Sequence, residues 1–270
     1  MLTIKDILDF ALVDTLFNGF VYIIFALPVF LLFWVFGKNF FQARRIQSKK
    51  RATNKNLRRE LFFSATTLLV FCIVDTTLLI SEEYGWTKIY TDSTEYAWWY
   101  WWGSLGLMIL LHDAYFYWAH RLMHHPFLYK HVHKIHHESV DPSPFAAFAF
   151  HPLEAFIEAA FYFIFVFIVP INLIAILAWQ VIQQGLNVIG HMGYEIYPRG
   201  FTRHWFFGWK TASTHHNMHH AKFEGNYGLY FTWWDKWFGT EFEDYNQTYD
   251  GVQERIHKAK ETESIKVTKS

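Results

Sequence analysis

The sequence predicts an all-α integral membrane bundle of four to five transmembrane or re-entrant helices with a histidine-rich cytoplasmic cap. Three observations lead to this fold class. Hydrophobic residues make up 52% of the 270 and aromatic residues 21%, above the roughly 45–50% apolar usage of soluble domains. Several apolar runs approach or exceed the ~20 residues that cross ~30 Å of hydrocarbon. Most of the 16 histidines lie between or after those runs.

The spans follow in order. Leu12–Phe36 forms the first, with Asp14 near its edge and a kink expected at Pro28. Leu61–Ile80 is the second and carries Asp75. Ala97–His120 is the third and opens with the aromatic cluster Trp98 to Trp102, as interfacial segments do. Leu153–Pro170 and Ile171–His191 come next, and Pro170 between them predicts a sharp turn in a helical hairpin. The remainder, Met192 to Ser270, is too broken to span, and its charged end from about Gly251 reads as a frayed or solvated helix. Three regions are expected: residues 1–96 with N-terminal spans and a basic loop, 97–245 as a catalytic domain, and 246–270 as a charged tail.

Orientation comes from the loop KNFFQARRIQSKKRATNKNLRR after the first span, which is dense in Lys and Arg and is placed in the cytoplasm by the positive-inside rule. Counting crossings from there brings every histidine cluster to that same face. The zero formal net charge gives no sign of a nucleic-acid partner. The single cysteine, Cys72, excludes an intrachain disulfide and a CxxC metal site. The N-terminus has neither a basic n-region nor a small-residue cleavage site, so no removable signal peptide is expected.

Metal chemistry therefore falls to histidine and carboxylates. Neutral imidazole is the commonest zinc ligand and suits iron equally. His120 and His124 are spaced i, i+4. His133, His136 and His137 form HxxHH, and His216, His219 and His220 repeat it. Residues at i, i+3 and i+4 share a helix face. His191 ends the fifth span as a ninth candidate, and His215 is a tenth or an orienting neighbour. So many nitrogens suit two metals about 3.5–4 Å apart, and iron is the metal whose redox chemistry such a site rewards. Orienting roles are expected for Asp113, two turns before His120, and for Asn187, one turn before His191. His125 and His131 read as neighbours rather than ligands, His112 as either functional or packed, and His204 and His257 as surface residues. Asp14 and Asp75 read as structural.

With these boxes the chain resembles the fatty acid hydroxylase/sterol desaturase superfamily of membrane non-haem di-iron enzymes. The motifs are DAYFYWAHRLMHHP, HKIHH, PFAAFAFHPLEAF, GHMGYEIYP and THHNMHHAKFEGNYGLYFTWWDKWFGT, over roughly Asp113 to Thr240. The resemblance implies that His120, His124, His133, His136, His137, His216, His219 and His220 are metal ligands, with His191 matching the family's extra histidine. It implies a supporting role for His151 and Glu154 in HPLE, and a packing role for the Asp235 turn. It further implies two iron ions, a lipid substrate entering from the bilayer, and O2-dependent hydroxylation or desaturation. HRLMHHP and FAFHPLEAF look like sterol carbon-5 desaturases, whereas GHMGYEIYP looks like sterol carbon-4 methyl oxidases.

No nucleotide, haem or flavin motif is seen, so electrons are expected from a separate protein, a b-type cytochrome or a ferredoxin with an NAD(P)H reductase. The alternative is a zinc scaffold or metal transporter without oxygenase activity, since zinc shares these ligands. Transport needs ligands spread across the bilayer, and these gather at one face. A bis-histidine haem carrier needs facing pairs at membrane depth, which only His112 and His191 approach. The C-terminal ESIKVTKS lacks a dilysine pattern, so a bacterial inner membrane is favoured over the endoplasmic reticulum.

Overall fold

The computed structural model describes residues 2–48 and 52–267, with side chains to residue 265. Helix α1 (Ile4–Phe30) starts on a capping box in which the Thr3 hydroxyl accepts from the Asp6 amide and the Asp6 carboxylate accepts from the Thr3 amide. Pro28 does not end the helix; the backbone widens into π turns at Leu31–Phe36, where the broken hydrogen-bond ladder resumes. Helix α2 (Asn54–Glu83) begins on an equivalent box made by Thr53 and Asn56. After strand β1 (Ile89–Tyr90), helix α3 (Trp98–Met123) runs to the first histidines.

Two one-turn helices follow, α4 (Pro126–Tyr129) and α5 (Lys134–His137), and α5 with its N-cap His133 carries the next box. Helix α6 (Pro152–Ile168), strand β2 (Ile171–Asn172) and helix α7 (Leu173–His191) make the predicted hairpin around Pro170. Strands β1 and β2 pair in parallel, Ile89 with Ile171 and Tyr90 with Asn172, and so tie the outer loop to that hairpin. Sequence periodicity did not reveal these short strands. The cap contains α8 (Ser213–Lys222), α9 (Trp233–Trp237) and α10 (Tyr245–Val267).

Among the described residues, three helices are long and apolar enough to cross a membrane: Ile4–Phe36, Asn54–Glu83 and Leu173–His191. Helix α6 has 17 residues and is short for a crossing. Helix α3 has 26 residues and buries the polar side chains His112, Asp113 and His120. Val74, Leu105, Met108, Phe161 and Ile176 join α2, α3, α6 and α7 in one apolar cluster. Leu8, Leu12, Leu16 and Phe20 form an exposed stripe along α1, which hydrocarbon would cover.

The basic loop is not simply solvated. The Arg45 guanidinium forms a buried ion pair with Asp141 and lies 4.6 Å from the Trp34 ring centroid. Arg59 reaches Glu138 at 2.9 Å and the Ser139 hydroxyl at 2.7 Å. These contacts strap the loop onto the segment following the second histidine box. The charged tail also differs from expectation. It is the helix α10, and Tyr249, Val252 and Ile256 pack its first half inward. Gln253 donates to the Tyr197 carbonyl and Arg255 to that of Arg45. From His257 to Ile265 its side chains are exposed.

Candidate metal centre

The nine expected ligands converge from α3, α5, α7 and α8 into two adjoining groups. His120, His124, His133, His137 and His219 form one, and His136, His191, His216 and His220 the other, with candidate ligand atoms within 4.8 Å of one another in each. Each HxxHH box is divided between the groups. His133 and His137 join the first while His136 turns to the second; His216 and His220 join the second while His219 turns to the first. Helix geometry accounts for this crossing. At about 100° per residue, positions i and i+4 lie about 40° apart, and i+3 lies about 60° to the other side. One helical turn therefore serves two neighbouring sites. Ring centroids across the boundary, as between His137 and His220, are 4.9 Å apart.

The proton positions test whether these residues fit metals. His120 Nδ1 lies 2.9 Å from the Tyr227 carbonyl oxygen, and His133 Nδ1 lies 2.6 Å from Glu154 Oε1. The carbonyl oxygen accepts only, and Glu154 accepts in its ionised form, so both Nδ1 atoms then carry protons and both Nε2 atoms present lone pairs. The two Nε2 atoms face each other at 3.1 Å, an arrangement that repels without a cation between them. His219 Nδ1 donates to the Gly225 carbonyl at 2.7 Å, and its Nε2 has no hydrogen-bond partner among the described residues. In the second group His191 Nδ1 donates to the Asn187 carbonyl at 2.8 Å. Its bare Nε2 is approached by His216 at 3.0 Å and by His136 and His220 at 3.2 Å each. One lone pair cannot accept three hydrogen bonds well; a cation in each group resolves its clash. The donor sets thus fit metal binding.

Electrostatics favours the same state. Burial and then the neighbouring His120 imidazole push His124 down to about 2. Burial, then neighbouring imidazoles, hold His133, His136, His137, His216, His219 and His220 well below the usual range. These imidazoles stay neutral, the form that ligates.

A cap loop aims the first group. Asp235 accepts from the amides of Tyr227 and Gly228 at 2.8 Å each and from the Thr240 hydroxyl at 2.7 Å. This fixes the carbonyls that receive His120 and His219. A Cβ on Gly228 would lie 2.4 Å from the Phe231 carbonyl oxygen, and Gly225 has φ +127°, so both positions need glycine. Burial pushes Asp235 up, but His215, Thr240 and the Gly228 amide outweigh it and hold the carboxyl below its usual value.

The orienting roles expected elsewhere are largely reassigned. Asp113 does not hold an imidazole; its Oδ1 accepts from the amides of Tyr230 and Phe231, two unpaired donors of the cap that lie nearer. His125 is exposed and accepts from the Phe127 amide as the cap of α4. His151 likewise caps α6, accepting from the Leu153 amide, while Glu154 one turn on reaches His133. Asn187 supports His191 through its backbone; its side chain donates to the Ala147 carbonyl. His215 is buried outside both groups, 3.4 Å from Asp235. His131, His204 and His257 are exposed.

His112 is buried, with Nδ1 2.7 Å from the Tyr230 hydroxyl, and it lines a cavity of ≈ 80 Å³. His120, His133, His136, His191 and His216 also line that cavity. So do Asn18, Asp75 and Gln180, three turns from His191 on α7, or about 16 Å along its axis. The structural reading of Asp75 thus omitted its place on this wall. Phe116, Phe148, Phe150 and Trp179 supply apolar surface between.

A fatty acid hydroxylase family model matches residues 105–240, half of the chain. The chain belongs to that family. A Delta(7)-sterol 5(6)-desaturase of Gibberella zeae is 32% identical over 197 residues, covering 73% of this chain and 59% of the relative. The lathosterol oxidase of Rattus norvegicus is 35% identical over 180 residues, covering 66% and 58%, and that of Homo sapiens 32% over 186, covering 67% and 59%. The chain thus spans about three fifths of the length of these relatives. No solved structure matches it. The relatives are fungal and mammalian, which overturns the expectation of a bacterial inner membrane; a membrane protein with eukaryotic relatives is what stands.

Proposed function

We propose that this chain is a membrane di-iron oxygenase that uses O2 and external electrons to hydroxylate or desaturate a lipid C–H bond. The observation that carries this reading is the arrangement of nine imidazoles in two adjoining groups beside a cavity with aromatic walls. In this assignment His120, His124, His133, His137 and His219 hold one iron, and His136, His191, His216 and His220 the other. Bound iron supplies O2 activation and the means of taking hydrogen from an unactivated C–H bond. Glu154 and the carbonyls of Tyr227, Gly225 and Asn187 keep the Nδ1 protons in place, so each Nε2 points at its metal. Burial keeps bulk water from the reacting carbon, and the aromatic wall receives the apolar body of the lipid.

The names of the relatives favour a sterol and desaturation over hydroxylation. Each desaturation then consumes one O2, two electrons and two protons; the lipid gives up two hydrogens and two waters leave. A separate protein brings the electrons, a b-type cytochrome or a ferredoxin with its NAD(P)H reductase.

The test is anaerobic loading of the purified protein with Fe(II), followed by O2 and lathosterol in the presence of a reductant. About two irons per chain, oxygen uptake that depends on the sterol, and a product two hydrogens lighter by mass spectrometry are expected. Tightly held zinc with no sterol-dependent oxygen uptake would replace this reading with a zinc scaffold.

A further inference from the structure

We infer that the Gln184 carboxamide is the point at which this chain grips a hydroxyl group of its lipid. The inference rests on the lipid-oxidation reading above and adds which chemical group is recognised and where. Gln184 lies on α7 in a stripe with Gln180, Asn187 and His191, spaced i, i+4, i+7 and i+11, and all four line the cavity. Three members of the stripe have protein partners. Gln180 donates to the Asn18 side chain at 3.1 Å, Asn187 to the Ala147 carbonyl at 2.8 Å, and His191 to the Asn187 carbonyl. Gln184 differs. It is 1% exposed, yet neither its Nε2 nor its Oε1 has a hydrogen-bond partner among the described residues.

A buried amide with both ends unmet is costly, and such groups are satisfied by something in nearly every structure. The cavity it faces is several times larger than the ~10–15 Å³ that one water needs, so the missing partner can be part of a larger molecule. The amide offers one acceptor and N–H donors. A neutral hydroxyl, which donates once and accepts readily, satisfies both ends. A carboxylate uses the donors alone and leaves Oε1 unmet. The chemistry therefore selects a lipid alcohol over a lipid acid. Gln184 is also two turns from His191, about 10 Å along the helix axis. The oxidised carbon is accordingly placed within about 10 Å of the hydroxyl, and the far hydrocarbon end of the lipid is spared.

Binding of lathosterol and of its methyl ether to the full-length, metal-loaded protein in nanodiscs tests this, using wild type and Gln184→Leu. Wild type is expected to bind the alcohol at least ~10-fold more tightly than the ether, because a site built to bond a hydroxyl rejects the analogue that cannot donate. In Gln184→Leu that ratio is expected to fall to near one, with KM for the alcohol raised more than kcat is lowered. Ligand-free melting temperature and metal content should hold or rise, since no protein hydrogen bond is lost; a merely structural glutamine would lower both. If the leucine variant does not fold, Gln184→Met is the substitute. Wild type that binds neither sterol, or both equally, overturns the inference, as does a variant that keeps the preference. Oxidation without discrimination sinks this inference alone. Discrimination without sterol-dependent oxygen uptake sinks the oxygenase reading and leaves the hydroxyl site standing.

Discussion

The five-histidine group takes its support from distant parts of the chain, whereas His191 of the four-histidine group takes it from its own helix. His120 and His219 lean on carbonyls of the cap loop at Tyr227 and Gly225, and His133 leans on the Glu154 carboxylate of α6. His191 leans on the carbonyl of Asn187, one turn below it. The first group therefore has a carboxyl neighbour and five donors, and two of its imidazoles are oriented by the carbonyls of Tyr227 and Gly225. The second has four donors, of which His191 is oriented by α7 itself, while His136 comes from α5 and His216 and His220 from the cap helix α8. A metal in the second keeps more of its coordination positions for other ligands.

The largest effects should separate the groups by ligand number. His191→Ala leaves three imidazoles in its group and His120→Ala leaves four. Metal analysis after dialysis should find that His191→Ala loses more metal, and both should lower turnover ~100-fold or more, beyond the effect of an orienting partner. Equal retention in both variants would remove the distinction.

Glu154→Gln comes next. It keeps the hydrogen bond to His133 and removes the ionisable carboxyl, so metal affinity of the five-histidine group should weaken about 10-fold to 100-fold, more than that of the four-histidine group, read by competition with a chelator.

The metal-free protein offers a pH test. Unfolded imidazoles titrate near ~6.5, and the buried ones are held below that value. The unfolded chain therefore binds more protons as pH falls, and the stability present above ~6.5 is lost below it. Lowering pH from 7.5 to 5.5 should reduce the melting temperature of the metal-free form by at least ~3 °C, and metal should raise the melting temperature at both pH values without removing the dependence.

The smallest effect is expected of Asn187→Ala. It deletes a side-chain bond to Ala147 worth about 0.5–1.5 kcal/mol but leaves the carbonyl that orients His191. Metal content should be unchanged while melting temperature falls slightly. Loss of metal would place the support in the side chain.

These contrasts mark what the sequence could and could not disclose. The helices and the nine histidines were legible because apolar length and the spacings i, i+3 and i+4 are local properties. The division of each box between groups was not, because a shared face is about 100° wide and the approach of α7 and α8 decides which edge meets which neighbour. Asp113 was misread for a related reason. Its position on the helix was right, but the unpaired amides of Tyr230 and Phe231 became visible only when the cap folded over α3. Gln184 carried a signal that was available, two turns before His191 on the same face, but its lack of a partner is a property of the packed structure.

The divided boxes bear on how the centre fills. A single turn of backbone at His133–His137, and another at His216–His220, carries ligands for both positions. An ion arriving at either position immobilises these turns and so prepares the other. Occupancy should rise sigmoidally with free Fe(II), and half-loaded chains should be scarce throughout the titration. The protein would thus pass from inert to competent in one step, without a long-lived single-iron form left to meet oxygen alone.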